Sequence, residues 1–321
     1  MRVDKTQLLS WAKFLIGWPL SAVSIIFIIK LIIDKSNELN ISFEKINLTY
    51  LFLSVALFFI YYLLRSFLWQ TELREKGFKI PFKKNTYAFT FSELKRYAPG
   101  NIWSFLSRGY QFSKLGVDKK TIGISILADI QLVIIGCGII SLFSVPWLID
   151  SSSELQTKLA TLLPASLLAI IIFFVVTSFI YTKKYLKTNS KSILLHSSGF
   201  WTNFLLPGFT FNSKIKLSVL AIITYFIFGI GNYFAFISIY QTIGNPLIIS
   251  SFFVFSLLVG FLSFITPMGL GVREAITTLG LSKIMSLADA GAVSIFTRII
   301  LVISELSFLV LVFLWQKSSK K

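Results

Sequence analysis

"LSVLAIITYFIFGIGNYFAFISIYQTIGNPLIISSFFVFSLLVGFLSFITPMGLGV", residues 217–272, contains no Asp, Glu, Lys or Arg. The hydrocarbon core of a bilayer is crossed by about 20 apolar residues in a helix, so this stretch alone is long enough to cross twice. The remaining chain has the same character. Of its 321 residues 55% are hydrophobic, 33 are Phe and only 14% are charged, against about a quarter charged in soluble domains. Lipid offers no water to backbone N–H and C=O groups, so spanning segments must bond internally and be helical. The expected class is all-α: a polytopic integral membrane bundle forming one transmembrane domain over 1–321, with halves at about 1–185 and 186–321.

Apolar segments long enough to cross lie at about 14–33, 46–64, 121–148, 159–182, 217–240, 247–265 and 290–315. The first, preceded by Arg2, Lys5 and Lys13, has no small-residue cleavage site before Lys30 and reads as an uncleaved span. Seven crossings would put the basic tail Lys317, Lys320 and Lys321 on the side opposite the N-terminus, against the bias of Lys and Arg toward the cytoplasm. Counting the uncharged segment 192–213 as an eighth repairs this. Both termini then lie in the cytoplasm, the clusters 65–120 and 183–191 stay inside, and only Lys214 and Lys216 move out. The cytoplasmic membrane of a bacterium or archaeon is the expected location.

The net charge of +17 has two readings. Twelve of the 31 Lys and Arg lie between Arg65 and Lys120 and six between Lys183 and Lys216, beside apolar spans. That clustering fits sidedness and anionic lipid better than nucleic acid. No nucleotide-binding P-loop occurs, and one His (His196) with one Cys (Cys137) excludes the common zinc clusters. No cofactor, metal or catalytic constellation is read, and a non-enzymatic role is expected.

Two Pro-Gly breaks interrupt the apolar pattern, "YAPGN" at 97–101 and "TPMGLG" at 266–271, 168 residues apart from Pro99 to Pro267. Each follows two apolar spans, 14–33 and 46–64 in one half and 217–240 and 247–265 in the other, so an inverted repeat with two re-entrant segments is expected. In the eight-crossing topology the breaks enter from opposite faces, with positions 85 and 282 on opposite sides. The aromatic and cationic residues of 85–112 predict an interfacial or embedded helical piece ending at Pro99-Gly100. Each break should end one helix and leave free N–H groups at the start of the next, an arrangement suited to phosphate with Arg108 and Arg273 as bidentate partners.

Charge within a span is costly, about 2.5–3.5 kcal/mol for Arg or Asp at a helix centre. That singles out Asp129, Arg273, Glu274, Arg298 and Glu305. Arg298 and Glu305 are two turns apart on one face and too distant to pair, so Arg298 is expected against Asp129 or Glu274. With Arg108 and Arg273 these residues are expected to face one interior polar site, together with Pro99, Gly100, Asn101 and Trp103 of the first break and Pro267, Gly269 and Gly271 of the second.

"RYAPGNIWSFLSRGYQFSKLGVDKKTIGISIL" at 96–127 and "TPMGLGVREA" at 266–275 resemble the two signatures of the lysylphosphatidylglycerol synthetase transmembrane family, a flippase-like membrane domain. The second usually reads T-P-G-G-L-G-V-R-E-A. Here Met268 stands at a glycine position, which should make that turn bulkier, and Asp129 follows Ala128 where the family commonly has Glu. The resemblance implies transfer of an anionic or phosphorylated lipid, a phospholipid or a polyprenyl-phosphate carrier, between leaflets. It covers the membrane half only, since no aminoacyltransferase domain is read here. The alternative is a non-transporting partner of a glycosyltransferase or lipid-modifying enzyme in envelope polysaccharide or glycolipid assembly.

Overall fold

A computed structural model describes residues 46–97, 102–144, 208–240, 244–263 and 266–318, with Ile26, Lys30 and Leu206 singly. The expected spans 14–33 and 159–182, His196, most of 192–213, and Pro99, Gly100 and Asn101 lie outside the described residues. Eight α-helices are described: α1 (Leu48–Glu75), α2 (Phe82–Glu93), α3 (Trp103–Lys114), α4 (Lys119–Ser141), α5 (Phe211–Ile239), α6 (Pro246–Leu262), α7 (Val272–Leu281) and α8 (Leu287–Ser318). No strand occurs among the described residues. Helices α1, α5, α8 and α4 with its 3₁₀ extension to Ser144 are long and apolar enough to cross a membrane.

Local chemistry sets the ends. Asn47, Asp118, Thr210 and Asn245 cap α1, α4, α5 and α6 by accepting from first-turn N–H groups, which satisfies donors that have no intrahelical partner. Pro246 opens α6, where its missing N–H costs nothing. Gly77 and Gly116, both at positive φ, end the turns after α1 and α3.

The long helices α1 and α5 form the spine and run antiparallel. Asn47 N donates to Ser238 O at 2.8 Å at one end, and Lys216 Nζ lies 3.3 Å from Glu75 Oε1 at the other. Between them Ser54 Oγ donates to Gly231 O, and Phe58 and Tyr61 pack on Phe228 with centroids 6.1 and 5.1 Å apart. The pair α2–α3 starts at the Glu75 end, where Phe82 meets Trp315 of α8 edge to face. The pair α6–α7 starts a few residues after Ile239, at the Asn47 end. The two broken pairs therefore enter the bundle from opposite ends, and their tips meet. The 3₁₀ turn Leu94–Tyr97 of the first lies against the 3₁₀ turn Pro267–Gly269 of the second.

Three expectations need correction. Among the described residues each half has one long helix, a short helix, a break, a short helix and a long helix in that order, so the first break follows α1 and α2 rather than spans 14–33 and 46–64. Within the expected span 247–265 the described helix is the 17-residue α6, about 26 Å long at 1.5 Å per residue, shorter than the four helices long enough to cross, and it packs against α7. Lys214 and Lys216 share an end with Glu75 and Lys76, because α5 is antiparallel to α1; they do not lie opposite the 65–120 cluster.

The charge distribution along the bundle is uneven. Arg74, Lys76, Lys79, Lys83, Lys84, Lys114, Lys119, Lys120, Lys214, Lys216 and Lys317 all fall at the Glu75 end by their places in the helices and turns, whereas the other end carries Lys283 among the described residues. Lys76 is drawn partly under Phe209, with its Nζ 4.0 Å from the ring centroid, and burial pulls its ammonium down to about 8. Asn85 is fully buried and donates to Ser66 O, so the exposed Lys84 is the better probe of that end. In a Cys137→Ser background, Lys84→Cys and Ser282→Cys should be labelled by an impermeant maleimide from opposite sides of sealed vesicles. Labelling from one side would contradict the opposed entry of the two broken pairs.

Candidate functional site

At the meeting point of the breaks is a cavity of about 90 Å³, lined by Arg65, Glu93, Arg96, Ser104, Phe105, Arg108, Asp129, Tyr225, Met268 and Arg273 among others. That volume holds several waters or a group of phosphate size. Arg108, Asp129 and Arg273 are thus brought to one place, from α3, α4 and α7.

Asp129 is the hub. Its Oδ1 accepts from Arg65 Nη1 at 2.6 Å and its Oδ2 from Arg108 Nη1 at 2.7 Å, with Arg65 Nη2 also on Oδ2 at 3.2 Å. Arg108, 1% exposed, extends its second nitrogen to Glu93 Oε1, and its guanidinium lies over Trp69 and Phe89 with centroids 4.6 and 4.5 Å away. Glu93 Oε2 in turn accepts from Arg96 Nη1 at 3.1 Å. Arg96 Nη2 reaches Glu305 Oε2 of α8 at 2.6 Å, where Tyr97 Oη also donates at 2.7 Å. Arg65, Glu93, Arg96 and Glu305 also line a smaller adjoining cavity with Tyr61 and Tyr62. One chain of charges therefore links α1, α2, α3, α4 and α8 around the cavity.

Arg273 stands apart from that chain. It is 7% exposed, its guanidinium sits 5.6 Å from the Phe228 centroid, and no hydrogen bond or ion pair to it occurs among the described residues. Its stem crosses Gly260, where an added Cβ would collide with the Arg273 side chain. Gly269, at φ 66, packs backbone to backbone on the same Gly260, so any Cβ there would strike the α6 main chain. These contacts aim Arg273 into the cavity and hold the second break against α6.

The other predicted residues divide. Gly271, at φ 84, is the N-cap of α7, and its N–H donates to Glu274 Oε2 at 2.6 Å. The expected free donor at the head of α7 is therefore taken by the helix's own glutamate. Glu274 Oε1, one of the two partners expected for Arg298, lies 3.5 Å from its Nε, and neither residue lines the cavity. Pro267 begins the 3₁₀ turn of the second break. Trp103, in the first turn of α3, is 47% exposed and is not among the residues lining the cavity. Met268 does line it, at φ 52 and ψ 22, a left-handed conformation that glycine adopts more readily than a residue with a side chain.

Reading the sequence missed Arg65, Glu93 and Arg96. Arg65 was cut off because the apolar window closes at 64, although α1 continues to Glu75. The signal was its spacing: Phe58, Tyr61, Tyr62, Arg65, Trp69 and Glu72 recur at three to four residues and lie on one buried face.

These features define an all-α integral membrane protein with a charged interior cavity where two broken helix pairs converge. The chain belongs to the family described as the lysylphosphatidylglycerol synthase TM region, whose profile matches residues 11–306. Comparison with curated proteins gives no match.

Removing Asp129 would leave Arg65 and Arg108 buried without their shared partner, and breaking a buried pair from one side costs about 3–5 kcal/mol. Asp129→Ala should lower stability by that order in SDS-titrated unfolding of the detergent-solubilised protein. Met268→Gly should raise it by about 1 kcal/mol in the same assay, by relieving the left-handed backbone.

Proposed function

We propose that this protein carries an anionic or phosphorylated lipid between the two leaflets, with the cavity holding the headgroup phosphate. The observation that carries this reading is Arg273, a buried guanidinium facing a polar cavity with no partner among the described residues. A buried charge must be compensated, and a phosphate oxygen pair is the natural complement of a guanidinium fork. The family supports the lipid class, since its description names a region associated with a lysyl-phospholipid synthase. No metal-binding group of His, Cys, Asp and Glu occurs among the described residues, and the ion-paired arginines and carboxylates serve as a binding shell in this reading.

The opposed broken pairs supply the route. In transporters with inverted repeats, discontinuous helices meet near the midplane and the site opens alternately to each side. Placing the basic end of the bundle in the cytoplasm follows the bias of Lys and Arg. The α2–α3 pair then enters from the cytoplasmic face and α6–α7 from the opposite one, and the end of α8 with Lys317 is cytoplasmic.

Lipid exchange is measured in vesicles containing fluorescent phosphatidylglycerol and quenched from outside. Wild type should exchange the label between leaflets. Arg273→Ala should slow this by about tenfold or more, the scale of one lost charge-assisted hydrogen bond, and Arg273→Lys should retain an intermediate rate. Equal rates for wild type and Arg273→Ala would remove Arg273 from the mechanism, and binding without exchange would favour a non-transporting lipid holder.

A further inference from the structure

The cavity offers hydrogen-bond donors and has its acceptors already engaged. Two carboxylates line it, Glu93 and Asp129, and each of their four oxygens accepts from a guanidinium. Glu305, the third acid of the ion-pair chain, is held by Arg96 and lines the adjoining cavity, whose volume of about 10 Å³ is no more than one water occupies. The tips of the breaks add no acid, since residues 98–101 and 264–265 are Ala, Pro, Gly, Asn, Phe and Ile. On the donor side Arg273 has no hydrogen bond or ion pair among the described residues, and neither do the hydroxyls of Tyr61 and Tyr225, which line the same volume.

Aromatic faces are the other means of holding an ammonium group in a dry site, by cation–π attraction. Four rings line the cavity: Tyr61, Phe105, Tyr225 and Phe261. The Arg108 guanidinium lies 5.8 Å from the Phe105 centroid and that of Arg65 lies 5.9 Å from the Tyr225 centroid, so two of the four already face a cation. Tyr61 is packed among Tyr62, Tyr225 and Phe228 at centroid distances of 5.1 to 6.1 Å. A cation entering the cavity would therefore meet Arg273 and find no carboxylate left unneutralised and, apart from Phe261, no ring left unengaged.

The balance of charge points the same way. Four arginines line the cavity, and with Glu305 counted beside its partner Arg96 they stand against three carboxylates. The positive charge left over is that of Arg273. A phosphodiester carries one negative charge and matches it. An ethanolamine phosphodiester is neutral as a whole, and its short link would bring an ammonium into the cavity beside Arg273, where a cation buried without a partner is costly. We propose that the site selects among phospholipids by the absence of an amine, accepting headgroups whose only charge is the phosphate, such as phosphatidylglycerol, and rejecting aminoalkyl phosphodiesters such as phosphatidylethanolamine. This rests on the reading of the cavity as a phosphate site and adds to it the class of headgroup.

The test is displacement of fluorescent phosphatidylglycerol from the purified protein in neutral detergent by short-chain competitors with identical acyl chains. Phosphatidylglycerol should displace it, and phosphatidylethanolamine should need a concentration about tenfold higher or more, the scale of one charged group left unpaired. N-acetyl phosphatidylethanolamine keeps the phosphate and the short link without the ammonium, and should recover most of the difference. Equal displacement by phosphatidylethanolamine and phosphatidylglycerol overturns the selectivity and leaves the lipid reading intact. An N-acetyl form as weak as the parent amine does the same, since size and not charge is then read. No binding of fluorescent phosphatidylglycerol overturns both. Glycerophosphoglycerol, the same headgroup without chains, separates a lipid from a soluble phosphodiester: displacement by it as effective as by phosphatidylglycerol overturns the lipid as occupant and this proposal with it. Arg96→Gln removes the excess positive charge and leaves Glu305 and one oxygen of Glu93 without their guanidinium, so the gap between the two lipids should narrow. An unchanged gap in the folded variant overturns the proposal. The wild-type series needs no variant, so a poorly folding Arg96→Gln does not shield it.

Discussion

The arrangement of the cavity depends on one carboxylate held between two arginines. Asp129 is 2% exposed in a bundle with little polar matter, a site where a lone charge could not persist. Arg65 and Arg108 make it tenable and are themselves made tenable by it. Those three residues come from α1, α4 and α3, so the pairing fixes how three helices are placed. Glu93, Arg96 and Glu305 then extend the same requirement to α2 and α8. Buried ion pairs are seldom more stable than the apolar packing that could replace them. What this chain of charges supplies is a set of guanidinium groups held in register around an open volume.

The second half of the chain is built by the opposite means. Helices α6 and α7 meet through glycine: Gly260 lies against Gly269 and the stem of Arg273, and Gly280 lies under the ring of Phe252. Near-contact of backbones lets a short helix pair reach the centre of the bundle. Glu274 closes the head of α7 and leaves Arg273 as the charge presented to the cavity. One wall of the site is electrostatically crowded, each charge in it held in an ion pair, and the facing wall presents a single cation.

Much of this was legible in the residues. The uncharged run 217–272 declared the membrane, the Pro-Gly breaks declared the interruptions, and charges stranded in apolar segments declared the interior. Three things were not legible, each for a physical reason. Hydropathy stops at the first cation, so Arg65 and Glu72 fell outside the span of α1 although partners distant in sequence bury them. A 17-residue apolar helix has the same composition as a longer one that crosses, so the shortness of α6 could not be read from hydropathy. The partners in the ion-pair chain come from five helices, and pattern within one segment does not say which distant segment will meet it. The role of Glu274 as a cap was readable in principle, since a glutamate three residues after the N-cap is a known local signature.

The basic end of the bundle carries a further physical consequence. A cation near an anionic bilayer surface interacts with it by about 1 kcal/mol, and the effect decays over a Debye length of about 10 Å at 0.1 M salt. The rim formed by Lys76, Lys83, Lys84, Lys114, Lys119, Lys120, Lys214 and Lys216 therefore acts as a local concentrator. An anionic bilayer surface beside this rim is attracted to it, and the attraction weakens as salt is raised. The charges of the rim therefore answer to ionic strength and leaflet composition, whereas the buried pairs that Asp129 makes with Arg65 and Arg108 lie beyond the reach of salt.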